Sequence, residues 1–339
     1  MASAAPALDA VARLAGGGPR ALTPIGGGRN SQVYRLDAAD GQVFALKAYF
    51  RHPGDRRDRL AVEFGALEFM WGQGLRCIPR PLARDAEAAL GLYAFVPGER
   101  PEPPIAQDVD AACGFLAQVH TLLQVPEAAA LPEASEACFS LAAVAANVDQ
   151  RLARLAAVEQ APELAAFLDL ELLPVWRNLV EECRFKAGAD FAKPLPAERR
   201  TLSPSDFGFH NALRSEAGLV FLDFEYFGWD DPAKLVADFL LHPGMDLSLP
   251  LRQRFATGLL DRLAVAGLRQ RTRLAFPLFG IKWCAILLNE FLPGPLHRRS
   301  FADPGGRSVC ERQARQLEKA RTQLATLMDD HARFPYFAA

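Results

Sequence analysis

Short apolar runs separated by polar or glycine-rich turns fill the first part of the chain, a pattern that is typical of β-strands. Residues 33–36 and the run VFALKAYF (43–50) flank the turn sequence AADGQ, which predicts a β-hairpin. The segment ALGLYAFVPGE (89–99) predicts another strand that ends at a Pro-Gly pair. Between them, DRLAVEFGALEFMWGQGL (58–75) has apolar residues at helical spacing and a glycine near its end, so it predicts a helix, as does 8–14.

Helical periodicity dominates the rest of the chain. Apolar residues recur at helical spacing in VDAACGFLAQVHTLL (109–123), in much of 139–185 and in nearly everything after residue 232. The exceptions are a loop at 126–137 and the run GLVFLDF (218–224), which predicts the second strand of a small hairpin. We therefore predict an α+β protein with a small β-rich lobe, residues 1–97, and a larger, mainly helical lobe, residues 98–339.

Composition and charge indicate an ordinary globular protein. Half of the 339 residues are hydrophobic, 23% are charged, and the net charge is -2 with a pI near 6.3. This charge gives no electrostatic reason to expect nucleic acid or an anionic membrane as a partner. The six cysteines form no CxxC pair and most lie in apolar surroundings, which indicates free thiols in a reducing compartment.

No segment has the pattern of a signal peptide or a membrane anchor. The apolar start of the chain lacks a basic region and is interrupted by Asp9 and Arg13. The apolar segment LAFPLFGIKWCAILLNEFL (274–292) is broken by Pro277 and Lys282, so a core helix is the better interpretation. We therefore expect a cytoplasmic protein.

Three consecutive glycines precede the predicted hairpin. Gly26, Gly27 and Gly28 lie in GGGRNSQVYRL, where the absence of a Cβ would let backbone N–H groups approach phosphate oxygens. Glycine-rich hairpins are also common structural features, so this motif alone leaves both interpretations open.

One lysine lies inside an apolar strand. Alternation places Lys47 on the face opposite Leu46, where a solvent-facing side chain would be the ordinary interpretation. A helix carrying Glu63 follows, and a Lys–Glu pair would fix the ammonium group for binding phosphate. Glu68 and Glu87 are alternative partners, but Glu63 is better placed because it lies early in its helix.

Two acids and one amide surround a short apolar stretch in LSPSDFGFHNALRSEAGLVFLDFEY. Phosphoryl transfer needs Mg²⁺ at the phosphates and a group that orients the attacking hydroxyl. Asp223 at the end of a strand and Asn211 offer oxygen ligands that suit Mg²⁺, and Asp206 can accept the proton. Each residue alone could be a turn residue, but the three together with the glycines and Lys47 favour a phosphoryl-transfer site.

These motifs resemble those of the aminoglycoside phosphotransferase and choline kinase-like families, over about residues 20–245. The resemblance implies a two-lobe, protein-kinase-like fold. It also implies that Asp206 is the catalytic base, that Asn211 and Asp223 are Mg²⁺ ligands, and that Lys47 and Glu63 form the phosphate-binding pair. LYAFVPGE (92–99), with Tyr93 and Phe95, looks like the hinge that receives the base of ATP, or of GTP.

The chain departs from the family pattern at one position. The histidine of the family's H-x-D-x-x-x-x-N loop is replaced by Pro204, which leaves open how the loop is supported. His210 does not occupy the family's histidine position, and a hydrogen bond that supports the loop is its expected role. The alternative function is therefore a nucleotide-binding pseudokinase that acts as a regulatory or scaffold protein.

The acceptor is expected to be a small molecule with a hydroxyl group, such as a sugar, an aminoglycoside or an amino alcohol. Glu225, Asp230, Trp283 and Glu290 are candidate contacts, because acids suit a cationic acceptor and tryptophan can cover a sugar or a quaternary ammonium. A core position for Trp283 and a helix start at Asp231 are the competing structural interpretations. The sequence fits either a monomer or a homodimer.

Overall fold

A five-stranded antiparallel sheet forms the amino-terminal lobe in the computed structural model, which describes residues 6–27, 31–51, 57–292 and 308–337. The strand order is β1-β2-β3-β5-β4, so β3 and β5 are interior strands. The strands are β1 (Pro19–Gly27), β2 (Ser31–Ala38), β3 (Val43–Tyr49), β4 (Pro81–Asp85) and β5 (Leu90–Ala94). The predicted hairpin is confirmed as β2 and β3, whose turn contains Gly41 in a left-handed conformation.

The two faces of this sheet are covered by different helices. Helix α1 (Leu8–Ala15) buries Val11 against Leu46 of β3 and its neighbours on one face. Helix α2 (Arg59–Gly72) covers the other face, where Tyr49 joins the main hydrophobic core. The alternation predicted for β3 is therefore confirmed: Leu46 faces α1, and Lys47 faces α2.

Helices form most of the carboxy-terminal lobe, as predicted. They are α3 (Ala106–Thr121), α4 (Leu141–Ala156), α5 (Pro162–Phe167), α6 (Leu173–Ala187), α7 (Pro232–Leu241), α8 (Leu249–Leu263), α9 (Leu268–Leu287) and α10 (Val309–Arg333). Two small sheets accompany them: β6 (Thr201–Ser203) pairs with β9 (Gly228–Asp230), and β7 (Ala212–Ser215) pairs with β8 (Gly218–Phe221). The loop predicted at 126–137 also contains a short 3-10 turn, Pro126–Ala130.

Helix α9 is the central helix of the larger lobe. It packs against α4, α6, α7 and α10, and its interior residues are almost entirely buried. Together with the turn that follows it, this helix is long and apolar enough to cross a membrane by length and composition alone, but 78% of its apolar window is buried inside the fold. Its burial is what the interpretation as a core helix predicted.

The crossing between the lobes is held by the β7–β8 hairpin. Glu99 and Arg214 exchange backbone hydrogen bonds, with N···O distances of 3.2 and 2.7 Å. A Cβ added at Gly98 would lie 2.7 Å from the carbonyl oxygen of Arg214, so the close approach of the two chains requires glycine. Residue 97, the predicted lobe boundary, lies in this crossing, between β5 and α3.

A second close approach joins β9 to the loop before α4. Ala134 N donates to the carbonyl oxygen of Trp229, and Trp229 N donates to that of Pro132. A Cβ added at Gly228 would lie 2.3 Å from the Pro132 carbonyl oxygen and 2.5 Å from Ala134 N. The loop at 132–136 is therefore pressed against β9 because residue 228 has no side chain.

Gly228→Ala should lower the free energy of unfolding by about 1–3 kcal/mol, because backbone atoms must move to accommodate the new methyl group. Gly65→Ala is the matched control: Gly65 lies within α2, and a Cβ there meets nothing within 4 Å. That control should be neutral or stabilising, since alanine favours helix over glycine by about 1 kcal/mol. Urea unfolding of both variants checks this, and equal stability of the two would contradict the role given to Gly228.

Candidate active site

A buried lysine joins the two lobes. Lys47 Nζ lies 2.6 Å from Glu63 Oε2 on α2 and 2.8 Å from Asp223 Oδ1 in the larger lobe. Burial disfavours the charged ammonium, but the charges of Asp223 and Glu63 outweigh it and raise the pKa of Lys47 well above its usual value. Lys47 is therefore a fixed cation at the junction of the lobes, paired with the residue that the sequence favoured over Glu68 and Glu87.

Two tyrosines support the carboxylate of this pair. Tyr49 donates a hydrogen bond of 2.8 Å to Glu63 Oε2, and the hydroxyl groups of Tyr49 and Tyr93 are 2.7 Å apart. Tyr93 was predicted to be a hinge residue that contacts the nucleotide. The structure corrects this, because Tyr93 lies in interior strand β5 with its ring buried against Phe64 of α2. Its hydroxyl group contacts that of Tyr49, which in turn donates a hydrogen bond to Glu63.

The other residues predicted on the nucleotide side lie at opposite ends of the sheet, because they stand at the carboxyl ends of β1 and β5, which run in opposite directions. Gly26 and Gly27 are the last residues of β1, paired with Val33 and Gln32 of β2, and Gly28 lies outside the described residues. Phe95 follows β5, and the guanidinium group of Arg35 packs over its ring at 5.2 Å. The two described glycines are therefore the carboxyl-terminal residues of strand β1.

The segment with Asp206 and Asn211 is tied to the segment with Asp223. Asn211 Nδ2 donates to the carbonyl oxygen of Asp206 at 3.0 Å, and Leu222 N donates to the carbonyl oxygen of Asn211 at 2.8 Å. The first bond fixes the amide and leaves its oxygen for another partner. Ser205 and Asp223 both have left-handed backbones, with φ of 68° and 66°, a strained conformation that is common at functional sites.

Two histidines converge on the carboxylate of Asp206. Nε2 of His210 and Nε2 of His242 lie 3.3 and 3.4 Å from Asp206 Oδ1, and the two rings stack 3.9 Å apart. Gly244 N donates to His242 Nδ1, so the proton of neutral His242 is on Nε2 and faces the carboxylate. Burial alone would raise the pKa of Asp206, but the hydrogen bonds from His210 and His242 lower it below its usual range. Asp206 is therefore ionised and oriented.

A lysine and a phenylalanine support the loop where the family histidine is missing. Lys234 Nζ on α7 donates a hydrogen bond of 2.8 Å to Ser205 Oγ, next to Pro204. Phe207 packs into the core, with ring centroids 5.0 Å from Phe221 and 5.7 Å from Phe115. The loop is therefore supported on both sides of Asp206.

Three acids that were predicted to contact the acceptor are instead internal. Asp230 is completely buried, with Oδ2 2.7 Å from Lys234 Nζ. Glu225 is buried with its Oε1 3.7 Å from Arg59 Nε. Glu290 is buried with its Oε2 3.7 Å from Arg312 Nε. A buried carboxylate is stabilised by its own cation, so these acids have a structural role, and their contact with an acceptor stays a prediction.

Trp283 lies near Asp206, which it approaches through His242. Its indole Nε1 donates to Asp238 Oδ1 at 2.9 Å, and its ring meets that of His242 edge-on at 4.6 Å. It is also largely buried, which matches the competing interpretation of a core position. The helix start expected at Asp231 is present, since Ala233 N donates to Asp231 Oδ1.

Three features of the site were missed in the sequence. The four-residue spacing places Lys234 and Asp238 on one face of α7 and could have predicted their ion pair, whereas Asp230 reaches Lys234 from the end of β9. No local signal identifies His242, because it reaches Asp206 only through the turn after α7. The same is true of Glu136, whose carboxylate contacts Arg151 and Lys282 from two different helices.

The donor set on the larger lobe fits a hard divalent cation. Asn211 offers a neutral amide oxygen, and Asp223 offers a partly exposed carboxylate held by Lys47. One or two oxygen ligands from protein, with the rest from phosphate and water, is the usual environment of Mg²⁺ beside a nucleotide.

Solved structures with this fold include enzymes that act on quite different small molecules. The choline kinase LicA from Streptococcus pneumoniae is 16% identical with a TM-score of 0.58, covering 91% of this chain and 94% of that one. A choline/ethanolamine kinase family protein from Mesorhizobium loti is 16% identical with a TM-score of 0.55, covering 91% and 92%. A thermostable mutant of aminoglycoside phosphotransferase APH(4)-Ia is 14% identical with a TM-score of 0.56, covering 94% and 99%.

At such identities these similarities establish the two-lobe fold, which confirms the predicted architecture. No curated protein sequence matches the chain. The sequence profile of the phosphotransferase enzyme family matches residues 21–276, which is more than half of the chain and includes Lys47, Glu63, Asp206, Asn211 and Asp223. The chain therefore belongs to the phosphotransferase enzyme family.

Proposed function

We propose that this protein transfers the γ-phosphoryl group of ATP to a hydroxyl group of a small molecule, with Asp206 as the base. The observation that carries the proposal is the ion pair between Lys47 and Asp223, which brings the nucleotide side of the small lobe to the loop that contains Asp206. Asn211 and Asp223 are the proposed Mg²⁺ ligands. Bound there, the ion would neutralise charge on the phosphate oxygens.

Each step of the transfer has a group in position. The acceptor oxygen attacks the γ-phosphorus while its proton passes to Asp206, and the bond from the γ-phosphorus to the bridging oxygen of ADP breaks. Because little covalent chemistry is needed, orientation of the hydroxyl is the main contribution of Asp206. The histidines on Asp206 Oδ1 leave Oδ2 for the acceptor.

On the nucleotide side, Lys47 binds the α- and β-phosphates and Glu63 fixes it. The glycines at the end of β1 cover the phosphates, and the segment that starts at Phe95 receives the base of ATP, with GTP as the alternative donor. We place the protein in the cytoplasm, in line with its six free cysteines, five of which are wholly or partly buried.

The pseudokinase alternative depended on Pro204. The hydrogen bond from Lys234 to Ser205 and the packing of Phe207 give the loop the support that the family histidine would otherwise provide. Loss of that histidine is therefore a weak reason to deny activity, and the choice between the two functions rests on turnover.

Asp206→Asn should reduce turnover by about 10²–10⁴-fold while leaving the Kd for Mg·ATP within about twofold, since a general base contributes to transfer and not to nucleotide binding. An ADP-release assay over sugars, alcohols and aminoglycosides, with calorimetric titration of Mg·ATP, measures both quantities. Glu216→Gln, in the exposed β7–β8 turn, is the control for loss of a carboxylate. Tight Mg·ATP binding without turnover on any acceptor would favour the pseudokinase.

Lys47→Met should weaken Mg·ATP binding by about 10–100-fold, because a charge-assisted hydrogen bond contributes about 1.5–3 kcal/mol. It should also lower the melting temperature, since the buried Glu63 loses its cation. Lys193→Met changes an exposed lysine in the same way and should alter neither property. Undiminished nucleotide affinity in the Lys47 variant would remove the phosphate-binding role.

Ser205→Ala should reduce turnover by about tenfold without changing the affinity for Mg·ATP, because it removes a hydrogen bond of about 0.5–1.5 kcal/mol that orients the loop. Ser215→Ala is the matched control, as it loses a hydroxyl bond to the carbonyl oxygen of Gly218 in the β7–β8 turn. If the two variants have the same turnover, the loop does not depend on Lys234.

A further inference from the structure

Most of the acids that were candidate contacts for the acceptor form ion pairs with buried lysine or arginine side chains. Asp230 and Asp238 share Lys234, whose Nζ lies 2.7 and 3.2 Å from their oxygens. Glu225 is paired with Arg59, one turn before Glu63 in α2. A cationic acceptor would therefore have to compete with a lysine or an arginine that is already buried beside each of these acids.

One further acid, Glu136, is exposed above two buried cations. Its Oε2 lies 3.1 Å from Lys282 Nζ, and its Oε1 contacts Arg151, while about a third of its side chain, 36%, remains exposed. Both cations are buried, at 5% and 9% side-chain exposure. Two positive charges face one negative charge, so this group has an excess of positive charge.

The state of Glu136 is fixed by these partners. Burial alone would favour the neutral acid, but the charges of Lys282 and Arg151 outweigh it and lower the pKa of Glu136 to about 2. Its backbone is left-handed, with φ of 61°, which is a strained conformation for a residue with a side chain. Glu136 is therefore held as a permanent hydrogen-bond acceptor in a strained position.

Contacts of the preceding residue connect the loop of Glu136 to the loop of Asp206. Its neighbour Ser135 donates from N to the carbonyl oxygen of Tyr226, and the carbonyl oxygen of Ser135 lies 3.5 Å from Ser205 Oγ. Ser205 directly precedes Asp206, so the residues that follow this contact on the two chains are Glu136 and Asp206. Lys282, which contacts Glu136, is the residue before Trp283 on α9, and the ring of Trp283 contacts His242, which in turn contacts Asp206.

From this arrangement we propose that the acceptor is an uncharged polyhydroxy compound, such as a sugar or polyol, and that Glu136 accepts hydrogen bonds from its hydroxyl groups. This rests on the proposed phosphotransferase function and narrows it. A hydroxyl group gains a charge-assisted hydrogen bond from Glu136 without adding a third cation to Lys282 and Arg151. A protonated amine would add that third cation, and like charges at close range oppose binding.

The test compares acceptors that differ only in one amino group, at a pH where the amines are protonated. The pairs are glucose with glucosamine, glycerol with aminopropanediol, and ethylene glycol with ethanolamine. With purified full-length protein and Mg·ATP, the neutral member should have about tenfold or greater kcat/KM, measured by ADP release with product identified by mass. Preference for the amines would overturn the proposal.

Two variants alter the local charge in opposite directions. Glu136→Gln leaves both cations uncompensated, so turnover of the neutral acceptor should fall about tenfold and gluconate should gain relative to glucose. Lys282→Met leaves one cation for one acid, so the preference for glucose over glucosamine should shrink. Glu133→Gln removes an exposed charge three residues earlier in the same loop and should change neither ratio.

Each result has one interpretation. The two measured ratios are the preference for gluconate over glucose and the preference for glucose over glucosamine. If both ratios in the Glu136 and Lys282 variants equal those of Glu133→Gln, Glu136 does not face the acceptor and the proposal fails. If Glu136→Gln does not fold, as judged by its thermal transition, Lys282→Met and the paired acceptors still decide. If Mg·ATP binds but no member of the panel or of a wider set of alcohols is phosphorylated, the proposed function fails, and with it this assignment.

Discussion

The Lys47 ammonium group, buried between Glu63 and Asp223, is the interaction on which the site depends. A buried cation is tolerated only with partners of opposite charge, and these two come from different parts of the fold. Glu63 lies on α2, and Asp223 lies in a loop of the larger lobe. Pairing all three sets the position of the sheet, of α2 and of that loop relative to one another, and Arg59 with Glu225 repeats the connection one turn away.

The same arrangement recurs elsewhere in the larger lobe: a buried cation holds a more exposed polar group. Lys234 is nearly inaccessible, yet it contacts the half-buried Ser205 in the loop of Asp206 and the side chain of Asp238, which is less deeply buried than the lysine. Lys282 with Arg151 holds Glu136 in this way. Because a buried side chain has few rotamers left, it orients its partner more firmly than an exposed ion pair does. Buried cations therefore hold the polar side chains around the loop of Asp206 in fixed orientations.

Ion pairing divides the acids of the larger lobe into two groups: some are buried beside a cation, and Glu136 is paired but partly exposed. Lys47 pairs with Glu63 and contacts Asp223, as the family resemblance implied, whereas Asp230 and Glu225 are buried beside cations. Solved structures with this fold include a choline kinase and an aminoglycoside phosphotransferase, so fold alone does not fix the acceptor. In this chain the pairing of Glu225 and Asp230 with cations moves the candidate contact to Glu136.

The two lobes, the β2–β3 hairpin, the faces of β3 and the pairing of Lys47 with Glu63 could be predicted from the amino-acid sequence, because these follow from local periodicity and one short crossing. Which acids remain exposed to a ligand could be read only from the folded protein. Asp230 and Glu136 look alike in sequence, but one is buried beside Lys234 and the other is exposed above Lys282. Burial and ion pairing depend on helices distant in the chain, and local pattern carries no information about such contacts.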